Sequence, residues 1–282
     1  MLRRNHLIII LMCISSMVWI SSSFLGVPTA KSMAILPQYH GSFIINGDAE
    51  LDAFCAGNET DGTETNPHVI ENFEILYDGA QNGIMIINTS RYLNIQNVNV
   101  SEFKVALNSK GLYLLNAEHI TILDCHFVNN SYGIFLENTN KTHTNRTASI
   151  LSKKSGISLF NSHNNTFYDV VTLSNNESGI ELYYSDYNII QYNLFLENNL
   201  YGLLLQSSYY NEVFDNIFLY NKIDCIYNPT DPENTNNIYD NDCRSGKIPG
   251  IPVWIIGVVL VITISSIVTI TIRSINKKRP NS

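Results

Sequence analysis

Five glycines, Gly111, Gly133, Gly156, Gly179 and Gly202, stand 22, 23, 23 and 23 residues apart, and a further step of 23 reaches Cys225. Self-similarity at a fixed period constrains a fold more than any local pattern does. Each unit opens alike: "GLYLLN", "GIFLEN", "GISLFN", "GIELYY", "GLLLQS". These segments alternate with period 2, as strands with one inward face do. After Gly179, Ile180 and Leu182 point one way, Glu181 and Tyr183 the other. The segments that follow, "NNTFYDVVTLSNN", "YNIIQYNLFLENN" and "YNEVFDNIFLYNK", align residue for residue. A unit of two or three short strands and tight turns, without helical periodicity, is one rung of a parallel β-helix. Successive rungs pair about 4.8 Å apart.

Asparagines recur with the same period: Asn165, Asn188, Asn211 and Asn234 at one turn, Asn175, Asn198 and Asn221 at another, Asn193 and Asn216 at a third. Asn tolerates a left-handed backbone, and identical Asn side chains stacked in columns hydrogen-bond along the stack. The expectation is structural columns, with the anchor glycines supplying positive φ at the corner before each strand. Cys125 falls in an inward column that Val170 and Asn193 fill later. A solenoid needs its ends covered. Residues 31–82 are expected to form the N-terminal cap and first strands, with Asp48 capping a short helix ended by Gly57, and Leu51, Phe54 and Cys55 covering the first rung. The rungs proper are assigned to 83–245.

The two ends read differently. Arg3 and Arg4 precede an uncharged Ile/Leu/Met-rich stretch and "GVPTA", the layout of a signal peptide over 1–30. A linker, 246–252, leads to twenty uncharged residues, Val253 to Ile272, expected to form a transmembrane helix. The tail 273–282 is basic, which marks the cytoplasmic side. The expected arrangement is single-pass in the cell membrane, with the large domain outside the cytoplasm. Between residues 31 and 252 there are eleven Lys and Arg against 25 Asp and Glu, a net charge of −14. Such a surface excludes nucleic acid as a partner. An even number of cysteines in an exported domain permits disulfides. Cys225 and Cys243 are the favoured pair.

The entry "NGDAELDAFCAG", then "DGT…NPHVIENFEI", then Gly-Ile-x-Leu and Asn-rich rungs resembles the NosD-like β-helix proteins. These belong to a broader group of carbohydrate-binding proteins and sugar hydrolases with this repeat. The resemblance covers about residues 41 to 245. It implies an all-β, three-sided, right-handed parallel β-helix of about 23-residue rungs outside the cytoplasmic membrane, here with one C-terminal transmembrane helix. Its implication for function is weaker, since fold-level analogy does not assign a site.

Three readings of function stand. The first is binding of glycan or a cell-surface protein without catalysis. An apolar strip along the outward positions of the first strand supports it: Met85, Tyr113, Phe135, Phe160, Tyr183 and Leu204, with Ile87 and Leu115 beside them. A contiguous strip where polar residues are expected marks an interface. Glu137, Glu181 and Gln206 are interleaved and suited to sugar hydroxyls. The second is a polysaccharide-processing enzyme. A glycosidase needs two carboxyls about 5–9.5 Å apart, and Glu137 and Glu181 are the pair on offer, two rungs apart in different columns of one face. A lyase needs carboxylates clustered for Ca²⁺ beside a basic residue, and Arg91, Arg146 and Arg244 lie beside no Asp pair. The third, implied by the resemblance, is a copper accessory protein. Copper asks for convergent His, Cys or Met. His40, His68, His119, His126, His143 and His163 differ in their offsets from the glycines, although His119 and His163 share a corner. No metal or cofactor is assigned, with copper and calcium the alternatives. The stretch "NTNKTHTNRTASILSKKS" breaks the Asn columns and is expected to bulge out with Lys141, His143, Arg146, Lys153 and Lys154. Among the N-x-S/T sequons, Asn129 and Asn176 lie in turns suited to carry glycan.

Overall fold

The computed structural model describes residues 37–229 and 235–244. The expected leader, linker, membrane span and tail lie outside the described residues. Among the described residues no helix is long and apolar enough to cross a membrane.

The chain coils as a right-handed parallel β-helix of about seven turns. The first sheet stacks Phe43–Asn46, Ile84–Thr89, Lys110–Ala117, Tyr132–Glu137, Ile157–Phe160, Ile180–Tyr183, Tyr201–Gln206 and Asp224–Tyr227. The second runs from His68–Glu71 to Asn237–Tyr239, and the third from Gln38–Tyr39 to Asp242–Arg244. Every rung contributes one strand to each sheet and pairs in parallel with the next. Inward columns are continuous. Ile45, Ile86, Leu114, Leu136, Leu159, Leu182 and Leu205 are in register down the first sheet. In the third, Phe195 and Phe218 stack at 4.4 Å.

The asparagine columns hydrogen-bond along the stack as expected, but the ladder asparagines are not themselves the left-handed residues. The left-handed residues are those just before the ladder: Asn164, Tyr187 and Tyr210 before Asn165, Asn188 and Asn211, and Tyr192 and Asp215 before Asn193 and Asn216. At each such bend the chain turns away from its sheet, and the next N–H is left to be satisfied. The Asn of the following rung does so. Asn188 Oδ1 accepts from both Asn165 N and Asn165 Nδ2 at 2.9 and 3.1 Å. Its Nδ2 donates to Ser162 O and to Asn211 Oδ1. Equivalent ladders join Asn175, Asn198 and Asn221, and Asn193, Asn216 and Asn241. The first ladder continues through Asn236, which holds Asn211 N at 2.8 Å; Asn234 lies outside the described residues.

The anchor glycines also serve another purpose than expected. None of Gly111, Gly133, Gly156, Gly179 and Gly202 has positive φ. They are required by close approach. A Cβ on Gly179 would meet Gly202 O at 2.7 Å and Phe195 Cδ1 at 2.8 Å. The same carbonyl crowding recurs from Gly83 to Gly202, where the neighbour is Cys225 O.

The N-terminal end is closed by the helix Asp48–Phe54. Asp48 does not cap it, since Gly47 takes the cap position. The Asp48 carboxylate instead accepts from Thr89 Oγ1 and Ser90 N, tying the helix to the first sheet. Gly57 does not end this helix but lies inside a 3₁₀ turn, Ala56–Asn58. Leu51 and Cys55 are buried, whereas Phe54 stays 39 % exposed and stacks on Phe43. At the other end Cys225 and Cys243 form a disulfide with Cα atoms 5.9 Å apart, joining the last strands of the first and third sheets. Cys55 and Cys125 are buried free thiols, and burial pushes the Cys125 thiol up to about 12.

The stretch after Gly133 does not bulge. His143–Asn145 and Ala148–Ile150 are ordinary strands in the second and third sheets. Small polar residues, Thr139, Thr142, Thr144, Thr147, Ser149 and Ser152, fill inward positions that are apolar elsewhere or Asn in later rungs. The hydroxyls of Thr142 and Thr144 have no hydrogen-bond partner. The long excursion lies two rungs earlier, at 103–109, where Val105 and Leu107 are 67 % and 82 % exposed.

Three substitutions measure this account. Asn188→Ala strips several buried groups of partners and is expected to cost about 3 kcal/mol. Asn199→Ala, in an exposed Asn pair, is expected to stay within about 0.5 kcal/mol. Thr144→Val keeps the shape, removes the orphan hydroxyl and is expected to stabilise by about 1 kcal/mol. Urea unfolding of each variant checks all three.

Candidate functional site

The outward face of the first sheet carries three neighbouring columns. Nearest the anchor glycines run Lys110 and Tyr132, followed by Ser155. The middle column is Ile44, Met85, Tyr113, Phe135, Ser158, Glu181, Leu204 and Tyr227. The third is Asn46, Ile87, Leu115, Glu137, Phe160, Tyr183 and Gln206. The expected strip is therefore two columns. Phe160, Tyr183 and Gln206 align with Glu137, not with Tyr113 and Phe135. The step falls where Ser158, a small residue, occupies the aromatic column.

Three rings gather on this face. Phe135 meets Tyr113 edge-on at 5.7 Å and Tyr132 at 5.1 Å. Two lysines lie over them. Lys110 Nζ is 4.5 Å from the Tyr113 ring centre and 5.0 Å from that of Phe135. Lys154 Nζ is 5.1 Å from the Tyr132 ring centre and 3.3 Å from its hydroxyl. Ring quadrupoles attract such cations. Burial lowers the Lys110 ammonium from its usual value; nearby Glu137 opposes this and Lys154 adds to it. A depression of about 540 Å³ opens beside the cluster, between Ile44, Ala80, Asn82, Met85, Lys110 and Tyr113.

The two carboxylates occupy different surroundings. Glu137 accepts the Tyr113 hydroxyl. That bond, with burial the larger cause, raises the Tyr113 phenol. Glu181 is only 5 % exposed, although it sits at an outward position. Its room comes from Ser155 and Ser158 in the preceding rung. Ser155 Oγ donates to Glu181 Oε2 at 2.6 Å, and Ser158 donates as well. Burial raises this carboxyl above its ordinary value of 4.5, the two serine bonds opposing. Tyr183, alongside, is pushed up to about 12 by burial and by Glu181 and Glu177. Glu137 and Glu181 are about 10 Å apart along the stack and one column apart sideways. Glu137 turns toward Tyr113 and Glu181 toward Ser155, so the fold places them on one face without converging them.

The bases of the stretch after Gly133 are dispersed. Lys141 pairs with Glu118 at 3.1 Å, and Arg146 forks onto both oxygens of Asp124 at 2.7 Å. Lys153 donates to Lys104 O in the 103–109 excursion, and His143 is exposed. Lys110, Tyr132 and Lys154 escape a reading of the first-strand motif because they precede the anchor glycine. The residue just before each glycine, an outward position, is the signal that finds Lys110 and Tyr132, whereas Lys154 stands two before Gly156.

Metal donors do not converge among the described residues. His68 is buried and uses both ring nitrogens, on Asp52 Oδ1 and Thr60 Oγ1, each at 2.8 Å. His40 stacks on Phe73 and His119 on Tyr92. His126 Nδ1 bonds Asn99, and His163 Nδ1 accepts from Asp186 N. His119 and His163 fall in adjacent columns of one corner, two rungs apart. Asp224, Cys225 and Cys243 are the one close group of three donor residues among the described residues, and its sulfurs are bonded to each other. Neither copper, which asks for His, Cys or Met, nor calcium, which asks for several oxygens, is matched by these sets. Of the two turn sequons, Asn129 spends its amide on Glu102, whereas Asn176 is exposed.

Residues 56–247 match a family model described as periplasmic copper-binding protein (NosD). No curated protein matches the chain. Two variants of the periplasmic alginate epimerase AlgG align with TM-scores of 0.52 and 0.50, each at 15 % identity. They cover 64 % and 62 % of this chain, which in turn spans 45 % of the epimerase chain. At this identity the likeness is one of fold.

The Glu181 environment has a pH signature. Below about pH 4.5 the carboxyl is neutral in the folded and unfolded chains alike. Above that value the unfolded chain ionises while the folded chain resists, so stability falls as pH rises through the folded value. Glu181→Gln removes this dependence. The variant is expected to gain stability relative to the parent as pH rises above about 4.5, read from urea midpoints. A gain by the parent over that range contradicts the assignment.

Proposed function

The chain belongs to the NosD family, and on that premise we propose a membrane-anchored β-helix, standing outside the cytoplasm, that binds glycan through its first-sheet face without catalysis. The observation that carries this reading is the contiguous ring cluster of Tyr113, Tyr132 and Phe135 on an outward sheet face. Sugars are bound by aromatic faces combined with groups that hydrogen-bond hydroxyls, and Glu137 and Gln206 stand in the neighbouring column. Rings at the middle of a patch also dominate affinity at protein interfaces, which leaves a cell-surface protein as the other partner of this reading. The anchor and the outside placement rest on the leader and the apolar segment 253–272 in the sequence. The absence of converging metal donors among the described residues supports binding over a metal-delivery role.

A second reading, polysaccharide processing on the same face, draws support from Glu181. A buried carboxyl with a raised pKa is what a general acid needs. Against it, Glu137 and Glu181 turn away from each other, so no second carboxyl is aimed at the same bond.

The experiment is a glycan array probed with the full chain in detergent. Tyr113→Ala with Phe135→Ala is expected to weaken binding at least about tenfold. Tyr187→Ala, at an exposed stacked Tyr pair on another corner, is expected to leave it unchanged. Binding should survive Glu137→Gln with Glu181→Gln. Release of reducing ends that vanishes in that double variant supports the enzyme reading instead.

A further inference from the structure

Lysine pairing is uneven on this protein. Arg91, Lys104, Lys141, Arg146 and Arg244 each have a carboxylate within ion-pair distance. Among the described residues, Lys110, Lys153, Lys154 and Lys222 do not. Lys222 is exposed. The other three gather at one edge of the first-sheet face, where Lys110 and Lys154 are half-buried over rings. In a domain with 25 acids and eleven bases, unpaired ammonium groups held partly out of water are not the default. Desolvating a cation is unfavourable unless a counter-charge or a ring face compensates.

The acids nearby neutralise these lysines only in part: Glu137 attracts Lys110 without reaching ion-pair distance. Glu137 is engaged by the Tyr113 hydroxyl, and Glu181 is buried beneath Ser155 and Ser158. Glu177 lines the shallow hollow shared with Lys153 and Lys154 and remains as a partial counter-charge. The rings hold each ammonium at a set height, and their edges supply an apolar wall. Lys110 and Lys154 belong to rungs two steps apart, about 10 Å along the stack. Their ammonium groups lie over adjoining rings, Phe135 and Tyr132, so anionic groups of one extended chain can meet both.

We propose, resting on the glycan-binding reading above, that the ligand of this face is an acidic glycan whose uronate carboxylates are held by Lys110 and Lys154 against the Tyr113–Phe135–Tyr132 wall. The local cations are needed because the surrounding surface, at −14, repels a polyanion. Attraction therefore acts at short range and weakens as salt screens it.

The test measures binding of oligogalacturonate, oligomannuronate and fully methyl-esterified oligogalacturonate to the full chain in detergent. At least one free acid is expected to bind at least about tenfold more tightly than the neutral ester, and more weakly in higher salt. Lys110→Gln with Lys154→Gln is expected to erase that preference. Lys110→Arg with Lys154→Arg should retain most of it, and Lys222→Gln should retain all of it, with circular dichroism unchanged in each. Equal or tighter binding of the ester overturns this inference and leaves the glycan-binding reading intact. Acid preference that persists in the double Gln variant overturns the lysine assignment. No binding of any glycan, or capture of a surface protein in place of glycan, overturns both.

Discussion

The buried asparagine ladder is the interaction on which the rest of this structure depends. Each rung bends sharply at residues such as Tyr187, Tyr192 and Tyr210, which sit in a left-handed conformation that non-glycine residues rarely adopt. Such backbone strain costs about 1–3 kcal/mol per residue and persists only where the surroundings over-determine it. The ladder supplies that determination. Asn188 takes the N–H freed at Asn165, Asn211 takes the one at Asn188, and Asn236 the one at Asn211. A shift of one residue in any rung would break all of its corners at once. Register is therefore set by hydrogen bonds at the corners as well as by apolar columns between them.

That division of labour separates scaffold from site. Inward positions are filled by a narrow set of residues because each must match its neighbours 4.8 Å above and below. Outward positions carry no such demand, and there the chain departs from its own repeat. Lys110, Tyr132, Phe135 and Glu181 occupy places where neighbouring rungs have Ser, Tyr or Leu. The burial of Glu181 is a consequence of that variation, since two serines in the rung before it leave the space its carboxyl fills.

Much of the fold was legible in the sequence because the repeat is periodic in the residues that make the columns. The spacing of Gly111 to Gly202 and the placing of Cys125 with Val170 and Asn193 follow from that period alone. Other parts were not legible, for physical reasons. A glycine needed for close approach looks the same in sequence as one needed for positive φ, so the spacing alone does not give the role of Gly179. Threonine and serine can fill an inward column as well as asparagine can, so the stretch from Thr139 to Ser152 reads as a loop in sequence and is built as strands. The outward strip reads as one column in sequence because Phe160 and Tyr183 match Tyr113 in type while standing two residues further along the strand. Lys154 reaches Tyr132 across a rung boundary, a contact of long side chains that spacing does not encode. Family membership carries an expectation of copper, yet His40, His68, His119, His126 and His163 serve packing and hydrogen bonding, and the close cysteine pair is a disulfide.

The most direct test of the central claim is residue-resolved amide hydrogen exchange on the full chain. The account predicts that the amides of Asn165, Asn188 and Asn193, each held at 2.8–2.9 Å by an asparagine of the next rung, exchange as slowly as the amides at the centre of the sheets. Exchange of these three within the range of solvent-exposed turn amides would contradict it, because the corners would then be held by something other than the ladder.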